Sequence, residues 1–175
     1  MDRAVGAPME LFILRHGVAV SRGSSEYPND SDRPLTPKGA RGLRRIAKGM
    51  RRMDLSFDHI FSSPFVRTRQ TAEIAVAILQ PDHSIEYTEH LQPEGDREVL
   101  VGELITKCAA ADRVLLVGHE PYLSGLISFL VCGDDSLGMN FRKGGLCKLS
   151  VSSLRMGKCA VLEWLLTPKQ VKEMG

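Results

Sequence analysis

Residues 9–14 read Met-Glu-Leu-Phe-Ile-Leu and stop at Arg15-His16-Gly17; residues 114–117 read Val-Leu-Leu-Val and stop at Gly118-His119-Glu120-Pro121. Apolar runs this short, broken by glycine, have the pattern of strands buried on both faces, as in a parallel sheet. Parallel neighbours need crossover connections, usually helices. Two such strands therefore commit the chain to an α/β architecture with helices on both sides of a sheet.

The segments between them supply the other elements. Residues 23–34 are rich in Ser, Asp, Asn and Pro and read as a loop. Thr36-Pro37 opens a helix, with Thr36 as N-cap and Pro37 at the first helical position. Leu43, Ile46, Ala47, Met50 and Met53 follow at helical spacing, so the helix should end near Asp54. Residues 59–62 form a second short strand closed by Ser63-Pro64, and a helix follows over about 65–79. A weak strand is expected at 85–87, a turn-rich loop at 91–96, and helices over about 97–110 and 122–131. Residues 146–151 and 160–166 read as a β-hairpin. The fold class expected is a three-layer α/β/α sandwich with a mainly parallel sheet. No repeat or linker divides the chain. Residues 1–8 are read as a leader, 9–168 as one domain and 169–175 as a C-terminal tail.

Bulk properties narrow the function classes. At 175 residues, 43% apolar and 25% charged, the chain has the composition of one globular domain. A net charge of +2, with no aromatic residues set into a basic stripe, argues against nucleic acid as partner. No apolar run approaches the about 20 residues of a membrane helix, and no membrane partner is expected. The cysteines at 108, 132, 147 and 159 are scattered without a CxxC pair, so no structural zinc is expected. Each lies in an apolar stretch, where cysteine acts as a small core residue. A reducing, cytoplasmic location fits that usage.

The chemistry concentrates where the two apolar strands end. Ligand sites of open α/β sheets lie beyond the carboxyl ends of the strands. If the two strands are neighbours, His16, His119 and Arg15 share one crevice. Arg67, in the first turn of the helix after Ser62-Ser63-Pro64, can reach the same place. Two arginines offer donor forks matched to phosphate oxygens. Their positive charge also disfavours the imidazolium, keeping His16 neutral and nucleophilic. A metal would want carboxylates nearby, and the arginines oppose a cation. Singly, each residue has a structural explanation: a satisfied histidine, a surface arginine, a strand stop. Together they point to a site for a dianion.

Three segments carry a resemblance. Leu14-Arg15-His16-Gly17, then Ser63-Pro64-Phe65-Val66-Arg67-Thr68-Arg69-Gln70-Thr71, then Val117-Gly118-His119-Glu120-Pro121 are similar, in order, to the three motifs of the histidine phosphatase superfamily, whose members include the phosphoglycerate-mutase-like enzymes. Residues 32–39, Asp-Arg-Pro-Leu-Thr-Pro-Lys-Gly, and residues 91–96, Leu-Gln-Pro-Glu-Gly-Asp, resemble stretches of the short SixA-type phosphohistidine phosphatases. In the first of these Asp32 and Arg33 are adjacent, where that group has a residue between them.

The resemblance implies a phosphoglycerate-mutase-like sandwich and a phosphatase acting through a phosphohistidine on His16. It implies that Arg15, Arg67 and His119 hold the phosphoryl oxygens, with Gly17 at the site and Arg33 approaching from the loop. No metal or organic cofactor is implied. The mutases carry a carboxylic acid that protonates an alcohol leaving group; no glutamate here is convincingly placed for that, although Glu89, Glu94 and Asp96 lie in the relevant stretch. A phosphoramidate needs such an acid less, which favours a phosphorylated protein, one bearing phosphohistidine on a signalling domain, as substrate. The alternatives are a small-molecule phosphomonoesterase and a non-catalytic phosphate-binding domain. A monomer is expected.

Overall fold

The structure is a computed structural model, and residues 8–174 are described. The leader read over residues 1–8 therefore lies outside them, except for the exposed Pro8. The strands are β1 (Met9–Arg15), β2 (His59–Ser62), β3 (Glu86–Tyr87), β4 (Arg113–Gly118), β5 (Leu146–Val151) and β6 (Ala160–Leu166). The helices are α1 (Pro37–Arg52), α2 (Val66–Leu79), α3 (Arg97–Lys107), α4 (Tyr122–Cys132) and α5 (Pro168–Glu173). Single 3₁₀ turns occur at Asp30–Asp32 and Glu89–Leu91.

One six-stranded sheet runs β3-β2-β4-β1-β5-β6. Strands β3, β2, β4 and β1 are joined in parallel, and β5 pairs antiparallel with both β1 and β6. The sandwich and the hairpin expected from the sequence are both present.

The apolar runs are continuous because each of their faces is covered. In β1, Leu11 and Ile13 join a core with Leu100, Leu104, Leu123 and Ile127 of α3 and α4, while Phe12 and Leu14 join a second core with Leu43, Ile46, Ala72 and Val76 of α1 and α2. Strand β4 alternates in the same way, with Val114 and Leu116 on one side and Leu115 and Val117 on the other. Thr36 caps α1 by accepting a hydrogen bond from the Gly39 N–H at 2.9 Å.

Two details differ from the sequence reading. Residues 169–175 are not simply a tail. Helix α5 begins inside a capping box, in which Thr167 Oγ1 accepts from Gln170 N–H and the Gln170 side chain accepts from Thr167 N–H. Its Val171 is fully buried against α1. Six residues are too few to display a helical period, so only the Thr-Pro-x-Gln start was there to be read. Cys132 is also exposed at the end of α4, whereas Cys108, Cys147 and Cys159 are buried as expected.

The seat of α5 depends on Gly49, where a Cβ would stand 1.9 Å from the Val171 carbonyl oxygen. Gly49→Ala should therefore destabilise the protein although alanine favours helix by about 1 kcal/mol. The obstacle is backbone, and overpacking costs about 1–3 kcal/mol. The expected result is a lower thermal midpoint and a changed emission of Trp164, which packs in the same core. An unchanged midpoint would show that α5 is not seated there.

Candidate active site

Parallel pairing of β1 and β4 sets Arg15 opposite Gly118, and the His16 N–H donates to the Gly118 carbonyl at 3.1 Å. The two strands thus release His16 and His119 at the same level. Their rings lie 5.2 Å apart, centre to centre, tilted by 57°. Strand β2 ends beside them, the Ser63 N–H donating to the Val117 carbonyl at 3.0 Å. From the far side, the Gly144 N–H lies within 3.0 Å of the Arg15 carbonyl and 3.1 Å of the His16 carbonyl. A Cβ at Gly118 would meet the end of the buried Leu123 side chain at 2.9 Å, so Leu123 would have to shift.

His16 is buried, and its Nδ1 lies 2.6 Å from the Gly17 carbonyl oxygen. A carbonyl only accepts, so Nδ1 carries the proton in the tautomer this contact selects, and Nε2 keeps its lone pair. Burial, opposed by the Gly17 hydrogen bond and reinforced by Arg67, Arg15 and Lys143, lowers the His16 pKa to about 3. His119 is lowered to about 2, by burial first and then by Arg67 and His16. Both rings are neutral at pH 7. His119 Nε2 is 2.8 Å from the Ser63 hydroxyl. The Phe65 ring meets His119 edge-on at 5.1 Å.

Arg67 is almost wholly buried in the first turn of α2. Its Nη1 donates to the Asp30 carbonyl at 2.6 Å and its Nη2 to Asp30 Oδ2 at 2.8 Å. Of the five guanidinium N–H groups these contacts take two. Arg15 Nη1 donates to the Phe141 carbonyl at 2.6 Å. Arg15 Nε, Arg67 Nε and His119 Nδ1 are buried without a hydrogen-bond partner. Buried polar nitrogens are normally paired, so these three are exceptions that the protein's own acceptors leave unmatched.

Arg33 does not point freely into the crevice. Its Nε and Nη2 donate to Asp30 Oδ1 at 3.0 and 2.6 Å, and its Nη1 donates to the Val20 carbonyl. Arg22 also reaches Asp30 Oδ1, at 3.0 Å. Asp30 therefore joins Arg67, Arg33 and Arg22. Burial pushes its carboxyl up, but the hydrogen bonds and charges of Arg33 and Arg67 outweigh that and hold it at about 2.

The sequence reading missed Asp30. Asp32, quoted only as part of a motif with Arg33, accepts from Asn29 and Ser31 instead. The clue available was one turn of spacing, since residues three apart face each other in a helical turn. Thr71, quoted only as part of a motif, accepts from the Gly17 N–H at 3.2 Å and donates to the Arg67 carbonyl at 2.7 Å. It ties the His16 turn to the helix that carries Arg67. Gln70 accepts from the Leu35 N–H at 2.8 Å. Lys143 joins the positive field from the turn before β5, and an exposed lysine there carries no signal in the sequence.

A cavity of about 460 Å³ is lined by Phe65, which meets His119, by Asp30, which pairs with Arg67, and by Arg33, and it extends along Tyr27, Pro93 and Glu94; neither imidazole lines it. Of the three acids considered from the sequence, only Glu94 lines it; Asp96 caps α3 by accepting from the Glu98 and Val99 N–H groups. Among the described residues no group of His, Cys, Asp and Glu is arranged to hold a metal.

Residues 11–93 match the model of the histidine phosphatase superfamily, branch 1. Phosphohistidine phosphatase SixA of Escherichia coli K12 is 32% identical over 128 residues, covering 72% of this chain and 76% of that protein. A protein of Picosynechococcus sp. PCC 7002 is 35% identical over 150 residues, covering 85% of this chain and 88% of that one. The solved structure of a protein histidine phosphatase SixA with tungstate superposes with a TM-score of 0.79 at 25% identity, covering 93% of this chain and 99% of that one. The chain belongs to the histidine phosphatase superfamily, and its fold is phosphoglycerate-mutase-like.

The neutral imidazoles have a consequence for stability. Free histidine titrates near 6.5, whereas these two titrate far below. Below pH 6.5 the unfolded chain binds protons that the folded chain refuses, so stability falls as pH drops from 6.5 towards 3. His16→Gln removes one of these protons, and its thermal midpoint should depend less steeply on pH in that window. Equal slopes would mean that His16 is not held neutral.

Proposed function

We propose that this protein is a phosphatase that hydrolyses phosphohistidine on proteins through a covalent phosphoryl group on His16. The carrying observation is the 2.6 Å contact of His16 Nδ1 with the Gly17 carbonyl, which leaves Nε2 unprotonated beside His119 and two arginines. In the first step the Nε2 lone pair attacks phosphorus in line. The N–P bond of the substrate breaks, the departing imidazole nitrogen retains the electron pair, and the ring, protonated from solvent on its other nitrogen beforehand, leaves as neutral imidazole. The unpartnered N–H groups of Arg15 and Arg67, with His119, receive the phosphoryl oxygens as charge builds on them. Water then attacks phosphorus, the bond to His16 breaks, and inorganic phosphate leaves. A relative named phosphohistidine phosphatase, and a neighbouring structure that holds the tetrahedral oxyanion tungstate, support this reading.

The choice of a phosphoramidate rests on the carboxylates. Asp30 lies closest to the arginines but is held ionised by them, so it has no proton to give at neutral pH. Asp96 is committed to its helix cap.

Incubation with a phosphohistidine-bearing signalling domain labelled on phosphorus should yield labelled enzyme and then free phosphate. His16→Ala should abolish the labelled enzyme. Label on that variant would end the assignment of the acceptor, and no labelled intermediate on the intact protein would leave a phosphate-binding domain. Arg67→Ala should lower turnover about 10²–10³-fold, as loss of an oxyanion donor does.

Glu94 on the cavity wall favours a second reading, a small-molecule phosphomonoesterase with Glu94 as the acid. General acids contribute about 10²–10⁴-fold. Under the phosphohistidine reading, Glu94→Gln keeps turnover of the phosphoprotein within about twofold. A collapse of turnover on that substrate would instead make Glu94 the proton donor.

A further inference from the structure

Helix α1 has seven cationic residues and no carboxylate among its sixteen. Lys38, Arg41, Arg44, Arg45, Lys48 and Arg51 are exposed, and among the described residues none is paired with an acid. Arg52 donates to the carbonyls of Lys172 and Met174. Like charges recur at the spacing where helix neighbours meet: 41 with 45, 44 with 48, 41 with 44. Each such pair destabilises a helix. Lys38 also stands in the first turn, where the helix dipole disfavours a cation. Outside the last turn, where Arg51 and Arg52 suit the helix dipole and Arg52 holds the end of α5, the fold gains nothing from this arrangement.

One side of α1 forms a groove of about 640 Å³. Lys38, Arg41 and Arg45 stand on its α1 side, and Lys143 and Lys172 complete its cationic rim. Its lining is otherwise apolar or glycine, including Val18, Gly42, Ile46 and Pro168, with neither a carboxylate nor an aromatic ring. Gly42 keeps it open, since a Cβ there would meet only the Lys172 ammonium, at 3.8 Å. The groove begins at Gly17 and Val18, directly after His16. An occupant therefore lies next to the candidate catalytic centre.

We propose that this groove docks an acidic segment with apolar side chains, belonging to the protein that delivers the phosphohistidine. The inference rests on the protein-substrate reading above and names the chemistry of that substrate. Charge complementarity selects a carboxylate-bearing partner and steers its approach. The apolar floor selects side chains over a bare polyanion. A single-stranded nucleic acid would want aromatic rings for stacking, and the groove has none. A lipid surface would want several large apolar side chains exposed at the rim, and Val18 is the one this groove offers.

The test uses Arg41→Glu/Arg45→Glu, whose side chains are exposed and outside the phosphate site. The first probe is a labelled, phosphate-free peptide with Glu and Leu at helical spacing, followed by anisotropy. The intact protein should bind it, and the variant should bind about tenfold or more weakly. The same peptide with Gln for Glu, a DNA duplex and phosphatidylserine vesicles should each bind less well than the acidic peptide. No binding of the peptide, equal binding by the variant, or tighter binding of duplex or vesicle overturns the proposal. The second probe is turnover. For a phosphotransfer domain with an acidic face, the variant should lose about tenfold in kcat/KM, mainly through KM, while hydrolysis of phosphoramidate stays unchanged. Loss on phosphoramidate as well would mean general damage and would overturn the docking role. Should the intact protein ignore the phosphoprotein yet hydrolyse monoesters, the protein-substrate reading fails by itself, and the peptide arm still judges the groove.

Discussion

The structure depends on the parallel pairing of β1 with β4. That ladder brings together two chain segments about a hundred residues apart and ends both at one level, with the His16 N–H on the Gly118 carbonyl. Shifting it by one residue would turn every side chain of a strand to the opposite face. The alternation of Leu11 and Ile13 against Phe12 and Leu14 blocks such a shift, because both faces are buried in different cores. Hydrophobic packing along two central strands therefore fixes the distance between two imidazoles at their carboxyl ends.

Around those imidazoles the protein concentrates positive charge and partly balances it from within. Arg67 is buried, and an unpaired buried cation is costly. Asp30 supplies the counter-charge and at the same time ties the 23–34 loop to α2. The balance is incomplete: Arg22, Arg33 and Arg67 share one aspartate, Arg15 and Lys143 add to the positive field at His16, and Glu120 acts on Arg15 from a distance. Burial first, and this residual positive field second, hold both histidines neutral.

Small residues give this arrangement its tolerances. Gly118 lets Leu123 close over the strand end, and Gly49 lets α5 settle against α1. Thr71 connects the backbone after His16 to the backbone of Arg67, so His16 and the largest buried cation sit on one hydrogen-bonded frame. On the outer side of α1 the same economy is absent, and six exposed cations there have no acidic partner among the described residues.

The sequence alone determined the strands, because burial on both faces leaves an uninterrupted apolar run, and it determined most helices through caps and period. It also pointed to residues 15, 16, 67 and 119, since strand ends and the first turn of a helix are places that local pattern marks. Only the tertiary structure decided that Asp30 rather than Asp32 faces the arginines, that Thr71 and Ser63 support the rings, that Lys143 adds to their field, and that residues 168–173 form a docked helix. Those facts depend on which groups meet across long separations in the chain. Local pattern records which way a side chain faces along its own element, and it holds no record of what stands opposite.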